Sequence, residues 1–206
     1  MNKVGIIGGT FDPIHFGHLI AAQWAKDALN LEQVIFIPAA EPPHKDVNEV
    51  SDKNYRFNMV SLAIRNNAGF ILSDLEIRRS GNSYTVDTLK HFRQLYPQAQ
   101  LFFIMGLDAL LQLDTWKDVE VLIELATFVV ATRPGYKIEP DDSIYNKLPR
   151  SIENKVIYLE IPGVEISSSL IRQRLRQGKS IKYLVPAAVE NYIYDNNIYG
   201  EVYDKS

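Results

Sequence analysis

Short, uninterrupted apolar runs recur along the chain, at Val4–Ile7, Val34–Ile37, Phe70–Leu72, Leu101–Met105 and Phe128–Ala131, and Val156–Ile161 reads as a last short strand. They are too short for buried helices and rich in β-branched and aromatic residues. Their continuity, in place of polar alternation, is what parallel strands covered on both faces require. Helical spacing fills much of the space between them. Leu19–Leu29 brings Leu19, Ala22, Ala25, Ala28 and Leu29 to one side, and Tyr55–Asn66, Thr85–Tyr96 and Val185–Tyr199 read as further helices, the last with Pro186 at its start and Gly200 past its end. Strand alternating with helix predicts an α/β fold, a Rossmann-like doubly wound parallel sheet whose ligands bind beyond the carboxyl ends of the strands. Residues 136–155 mix charge, Pro and Ser without a period and read as a surface excursion before the last strand. A single domain is expected over residues 1–206, with 181–206 as a C-terminal helical extension.

Composition narrows the classes. With 46% hydrophobic residues, 23% charged residues and a net charge of -3, this is an ordinary globular composition without the basic excess of a nucleic-acid-coating surface. Polymeric nucleic acid is therefore not an expected partner. The absence of cysteine excludes disulfides and thiolate chemistry. No apolar stretch has the length of a signal peptide or membrane span, so a cytoplasmic location and no membrane partner are expected. Whether the chain forms a homo-oligomer is left open.

The residues after each apolar run are the ones to inspect for chemistry. The first run breaks at Gly8-Gly9, turns at Asp12-Pro13, and opens a helix from Gly17. Two glycines let main-chain N–H groups approach a ligand, and the helix start supplies unpaired donors and the positive end of its dipole, an anion site. His15 and His18, three apart at that helix start, can reach the same phosphate chain. Such a pair is also half a metal site, but no third ligand is evident and no protein-held metal is expected. After the second run, Pro42-Pro43-His44-Lys45 is either an ordinary stiff surface loop or a device that aims cations at phosphate. After the third, Ser83 or Thr85 can cap the helix that follows. After the fourth, Gly106-Leu107-Asp108 places a carboxylate where ribose hydroxyls can donate to it, and Trp116 is either core or a stacking surface. Arg133 follows the fifth run as a cation at a strand end. Finally, Ser167-Ser168-Ser169 can cap a helix, with Arg172 one turn on and able to face the anion bound at its start.

Taken together, Gly8-Gly9-Thr10-Phe11-Asp12-Pro13-Ile14-His15-Phe16-Gly17-His18 resembles the signature of the nucleotidyltransferases that share a His-x-Gly-His motif with class I aminoacyl-tRNA synthetases. Ile166-Ser167-Ser168-Ser169-Leu170-Ile171-Arg172 is similar to their second motif, with Ser169 in place of the usual threonine. The Pro-Pro-His-Lys loop, Tyr84-Thr85, and Gly106-x-Asp108 with Leu113 and Trp116 extend the likeness along nearly the whole chain, to bacterial nicotinate-nucleotide adenylyltransferases. This resemblance implies transfer of AMP from ATP to nicotinate mononucleotide, giving deamido-NAD and pyrophosphate, with Mg²⁺ carried by the ATP phosphates. It implies that His15, His18 and Arg172 are catalytic, and that ATP is bound by these three with Gly8, Gly9, Thr10, Phe11, Gly106, Asp108, Ser167 and Ser168. Nicotinate mononucleotide is assigned to Lys45, Tyr84, Thr85, Trp116, Lys117 and Arg133, the indole stacking on the pyridine ring. The rivals are adenylyltransferases acting on nicotinamide mononucleotide or phosphopantetheine, a non-catalytic nucleotide-binding regulator, and an RNA-binding relative of the synthetases.

Overall fold

A computed structural model describes residues 2–43, 50–132 and 149–200, without the side chains of residues 150 and 153. Its center is a six-stranded sheet in the order β3-β2-β1-β4-β5-β6, built from β1 (Lys3–Gly9), β2 (Gln33–Pro38), β3 (Phe70–Leu72), β4 (Gln100–Gly106), β5 (Thr127–Thr132) and β6 (Val156–Glu160). Every neighboring pair is parallel. This is the doubly wound, Rossmann-like α/β arrangement expected from the continuous apolar runs. β1 does not break at Gly8-Gly9. It continues through Gly9, with Gly8 opposite Ile37 and Gly9 opposite Pro38, because the parallel ladder to β2 still has partners there.

Side-chain alternation along each strand feeds two separate cores. Leu101, Phe103 and Met105 of β4 pack on one face with Val86, Leu89 and Phe92 of α4 (Thr85–Leu95) and Leu122 and Ile123 of α6 (Val119–Leu125). Phe102 and Ile104 pack on the other. They meet α1 (Phe16–Leu29), α2 (Lys53–Ile64), α7 (Ser168–Arg176) and α8 (Ala187–Asp195). On α1 the buried stripe is Ala21, Ala22 and Ala25, with Leu19 and Leu29 partly buried. Ala28, expected on that stripe, is exposed at the end of the helix, where a methyl group has little to gain from the core. The last helix is shorter than its sequence pattern. Pro186 is its N-cap, and the chain leaves helical geometry at Asn196 before Asn197 and Tyr199 take left-handed conformations. It docks on α2, where Asn58 Nδ2 donates to the Tyr192 hydroxyl at 2.9 Å. Two four-residue helices, α3 (Leu75–Arg78) and α5 (Leu107–Leu110), complete the order. Among the described residues no helix is long and apolar enough to cross a membrane.

The crossover connections leave β1 and β4 toward opposite faces, so the ends of these adjacent strands flank the crevice where such sheets bind ligands. One α2 residue holds that end together. Arg56, only 1% exposed, donates from Nε to the Ser51 carbonyl at 2.9 Å, from Nη1 to Thr10 at 2.9 Å and Ala39 at 2.6 Å, and from Nη2 to Ala40 at 3.0 Å. Burial lowers its pKa and the nearby Asp12 carboxylate opposes that shift. Replacing it by methionine fills the volume but strands four main-chain acceptors. Arg56→Met is expected to cost about 3 kcal/mol or more, read as the fall in urea midpoint; a loss under about 1 kcal/mol would contradict this role.

Candidate active site

At the carboxyl end of the sheet lies one cavity of about 1000 Å³. Its wall joins three regions: the turn after β1 with the start of α1, the ends of β4 and β5, and the start of α7. Gly8, Gly9, Thr10, His15, His18, Tyr84, Thr85, Gly106, Asp108, Trp116, Lys117, Ser167 and Ser168, all expected as site residues, lie in this wall.

The histidine pair is built by the backbone around it. His15 is the N-cap of α1, in extended conformation, and its N–H donates to His18 Nδ1 at 3.2 Å. The two rings lie 3.7 Å apart and tilted by 30°, so both face the same side of the helix start. Phe11 approaches His18 edge-on at 5.1 Å. Gly17 leaves room for this ring, because a Cβ at that position would sit 3.0 Å from His15 and press on it. His15 is 7% exposed and burial drives its pKa down to about 4, so it enters neutral and serves as a hydrogen-bonding imidazole, not a resident cation. Its Nδ1 is buried without a hydrogen-bond partner among the described residues. The first turn of α1 has no acidic side chain, which leaves the positive end of the helix unopposed.

The start of α7 is arranged similarly. Ser167 is the N-cap, its hydroxyl accepting from Leu170 N–H at 3.1 Å, and the first turn carries no acid. Ser168 does not cap. Its hydroxyl donates to the Pro13 carbonyl at 2.9 Å and fastens α7 to the signature turn. Two helix N-termini thus open on one cavity, a favorable arrangement for a polyanion.

The other end of the cavity carries flat and apolar surface. Trp116 is partly buried and stands edge-on to Phe103 at 5.9 Å. Lys117 Nζ lies 4.6 Å over the Tyr84 ring and 3.8 Å from Asp87. Neither Ser83 nor Thr85 caps α4; the N-cap is Tyr84, whose side chain makes no capping bond and whose hydroxyl accepts from Asn82 Nδ2 at 3.1 Å. Ser83 Oγ instead accepts from Ala40 N–H at 3.0 Å, because its position beside the β2 loop offers a buried main-chain donor. Sequence reasoning also missed Glu76. This buried carboxylate lines the cavity, accepts from the Thr88 hydroxyl at 2.6 Å and bonds to Ser83, and burial raises its pKa. The only hint in the sequence was an acidic residue within a four-residue helix, which is no signal.

Two expected residues lie outside the wall. Phe11, 2% exposed, belongs to the core with Phe36. Arg172 points to the turn itself: Nη1 donates to the Asp12 carbonyl at 2.6 Å and lies 3.8 Å from the Asp12 carboxylate. Lys45 and Arg133 fall outside the described residues, as does His44. Among the described residues, no group of three or more His, Cys, Asp or Glu side chains is placed to hold a metal ion.

The cytidylyltransferase-like family model matches residues 6–174. A probable nicotinate-nucleotide adenylyltransferase of Moorella thermoacetica is 46% identical over 198 residues, covering 96% of this chain and 91% of that protein. One from Thermus thermophilus is 46% identical over 197 residues, covering 96% and 99%. Among solved structures, nicotinic acid mononucleotide adenylyltransferase of Plasmodium falciparum complexed with NaAD has a TM-score of 0.79 at 26% identity, covering 97% of this chain and 98% of that one.

The buried imidazole sets a pH dependence. Unfolded, His15 takes up its proton near the ordinary imidazole value of 6.5; folded, only near 4, so the unfolded state holds more protons in this window. Stability therefore falls as pH drops from 6.5 toward 4, and this group adds no further slope below that. Urea unfolding at neutral pH and near pH 5 should show His15→Asn losing about 2 kcal/mol less than the parent on acidification. Equal losses would contradict the buried, neutral assignment.

Proposed function

The chain belongs to the nicotinate-nucleotide adenylyltransferases of the cytidylyltransferase-like family, and on that premise we propose how its cavity transfers AMP from ATP to nicotinate mononucleotide. The products are deamido-NAD and pyrophosphate, a step of NAD biosynthesis. The observation that carries this reading is the single cavity in which two acid-free helix N-termini and a histidine pair share a wall with Tyr84 and Trp116.

ATP takes the end between α1 and α7, its phosphates toward His15, His18, Ser167 and Ser168, with Gly8, Gly9 and Thr10 beneath them. Asp108, beside Gly106, accepts from the ribose hydroxyls. Nicotinate mononucleotide takes the other end, its ring on Trp116 and its carboxylate toward the start of α4 at Tyr84-Thr85 and the Lys117 ammonium. Lys45 and Arg133 complete this assignment.

A phosphate oxygen of the mononucleotide attacks the α-phosphorus of ATP. The new P–O bond forms as the bond to the bridging oxygen breaks, and pyrophosphate leaves with that electron pair. No side chain becomes covalently modified; the protein positions both substrates and offsets charge as it moves onto the leaving group. His15 and His18 donate to phosphate oxygens, and Arg172 turns from the Asp12 carbonyl toward the departing phosphates. The family generally pairs a divalent metal with the nucleoside triphosphate. Mg²⁺ fits, since it keeps its waters and binds through phosphate oxygens, and the wall carboxylates, Glu76 and Asp108, do not form a cage. When bound, it offsets charge on the triphosphate and pyrophosphate.

Pyrophosphate release from MgATP, with nicotinate mononucleotide, nicotinamide mononucleotide and phosphopantetheine offered in parallel, tests the assignment. Release is expected with the nicotinate compound; ATP binding with no release from any of the three would favor a nucleotide-binding regulator. His18→Ala should lower turnover by about a hundredfold or more while ATP binding remains measurable. Near-normal turnover would remove His18 from the mechanism.

A further inference from the structure

The chemistry above makes no use of Asp12, yet its carboxylate is the most elaborately partnered acidic group in the described structure. It is 2% exposed and sits in the turn between β1 and α1. The Ser51 hydroxyl donates to Oδ1, and the Ser51 N–H reaches Oδ2 at 3.4 Å. The Tyr199 hydroxyl, arriving from beyond α8, also donates to Oδ1, at 2.7 Å. Tyr199 holds a left-handed backbone, φ 82°, a conformation disfavored for a residue with a side chain. Burial, and then the negative charge of Asp12, raise its pKa far above the usual phenol range, so the hydroxyl remains a donor at any working pH.

Arg172 lies on the other side of the same carboxylate. Its short bond is to the neutral Asp12 carbonyl, and a longer one, 3.4 Å, goes from Nη2 to Ser169 Oγ. Its separation from Oδ2 is 3.8 Å, an ion pair without the two-pronged hydrogen bonding that Arg and a carboxylate prefer. A buried carboxylate lacking donors would draw the guanidinium into that tighter geometry. Here two hydroxyls already satisfy Oδ1. We infer that Tyr199 is a positioning residue. Together with Ser51 it satisfies Oδ1 of the Asp12 carboxylate, which is then not driven to draw Arg172 into a two-pronged pair, and Arg172, aimed by the Asp12 carbonyl, remains available to the ATP phosphates. Removing the phenol hydroxyl leaves Oδ1 one donor short, and a cation within reach of the same carboxylate is Arg172, which is then held at the Asp12 turn and lost to the phosphates. This rests on the assignment of Arg172 to phosphate binding.

A double-mutant cycle of Tyr199→Phe and Arg172→Ala tests it, read both as Kd for ATP and as pyrophosphate release. Tyr199→Phe alone is expected to weaken ATP binding and slow turnover by about tenfold, a charged hydrogen bond's worth. In the Arg172→Ala background the same change should cost less than about twofold. Ser51→Ala removes a donor from a different chain segment and should repeat the pattern; it decides the matter if Tyr199→Phe does not fold. Equal losses in both backgrounds would reduce Tyr199 to a stabilizing contact and overturn the inference, as would no loss at all. The binding arm decides even if no mononucleotide supports turnover, which separates failure of this inference from failure of the proposed reaction. Absence of ATP binding by the parent protein overturns both.

Discussion

A buried guanidinium with no carboxylate hydrogen-bonded to it among the described residues is the constraint on which the site depends. Arg56 binds the carbonyls of Thr10, Ala39, Ala40 and Ser51, and so ties the segments after β1 and β2 to each other and to the approach to α2. Burying a cation is costly unless its donors are filled, and here they are filled by main-chain acceptors that the sheet and its loops present together. The consequence is positional. With Thr10 fixed, the turn through Asp12 can deliver His15 as the N-cap of α1, and with Ala40 fixed, Ser83 can hold the start of α4 against the β2 loop. Both halves of the cavity hang from this one side chain.

Function then follows from what the two ends of the cavity present. Helix N-termini with no acids in their first turns, a close histidine pair and serine hydroxyls suit phosphates. An indole, a tyrosine and a lysine suit a flat ring bearing a carboxylate. Because His15 is neutral when the cavity is empty, attraction for phosphate comes first from N–H donors and helix ends. A bound phosphate would itself favor the imidazolium form.

Much of this was legible in the sequence for physical reasons. Strands covered on both faces must be continuously apolar, which is why four of the runs fell on β1, β2, β4 and β5, and the edge strands β3 and β6 were marked too. The histidines were legible as a pair because residues three apart on a helix start face one way. Helices α3 and α5 are four residues long, barely one turn and too short for a repeating pattern to reveal them. Arg56 reads as a surface residue, since nothing local says that four carbonyls converge on it. Arg172 was visible, but its direction was not: its partner, the Asp12 carbonyl, is 160 residues away in sequence. The same holds for Tyr199, 187 residues from the carboxylate it serves.

The central claim is that this scaffold works by positioning and charge stabilization without a covalent intermediate, moving AMP in one direct displacement between two substrates held in the same cavity. The most direct test is the stereochemical course at the α-phosphorus, followed with a single diastereomer of the ATP α-phosphorothioate and nicotinate mononucleotide. Direct transfer predicts inversion of configuration in the dinucleotide product. Retention would mean two successive displacements through an adenylylated side chain, and would contradict the account.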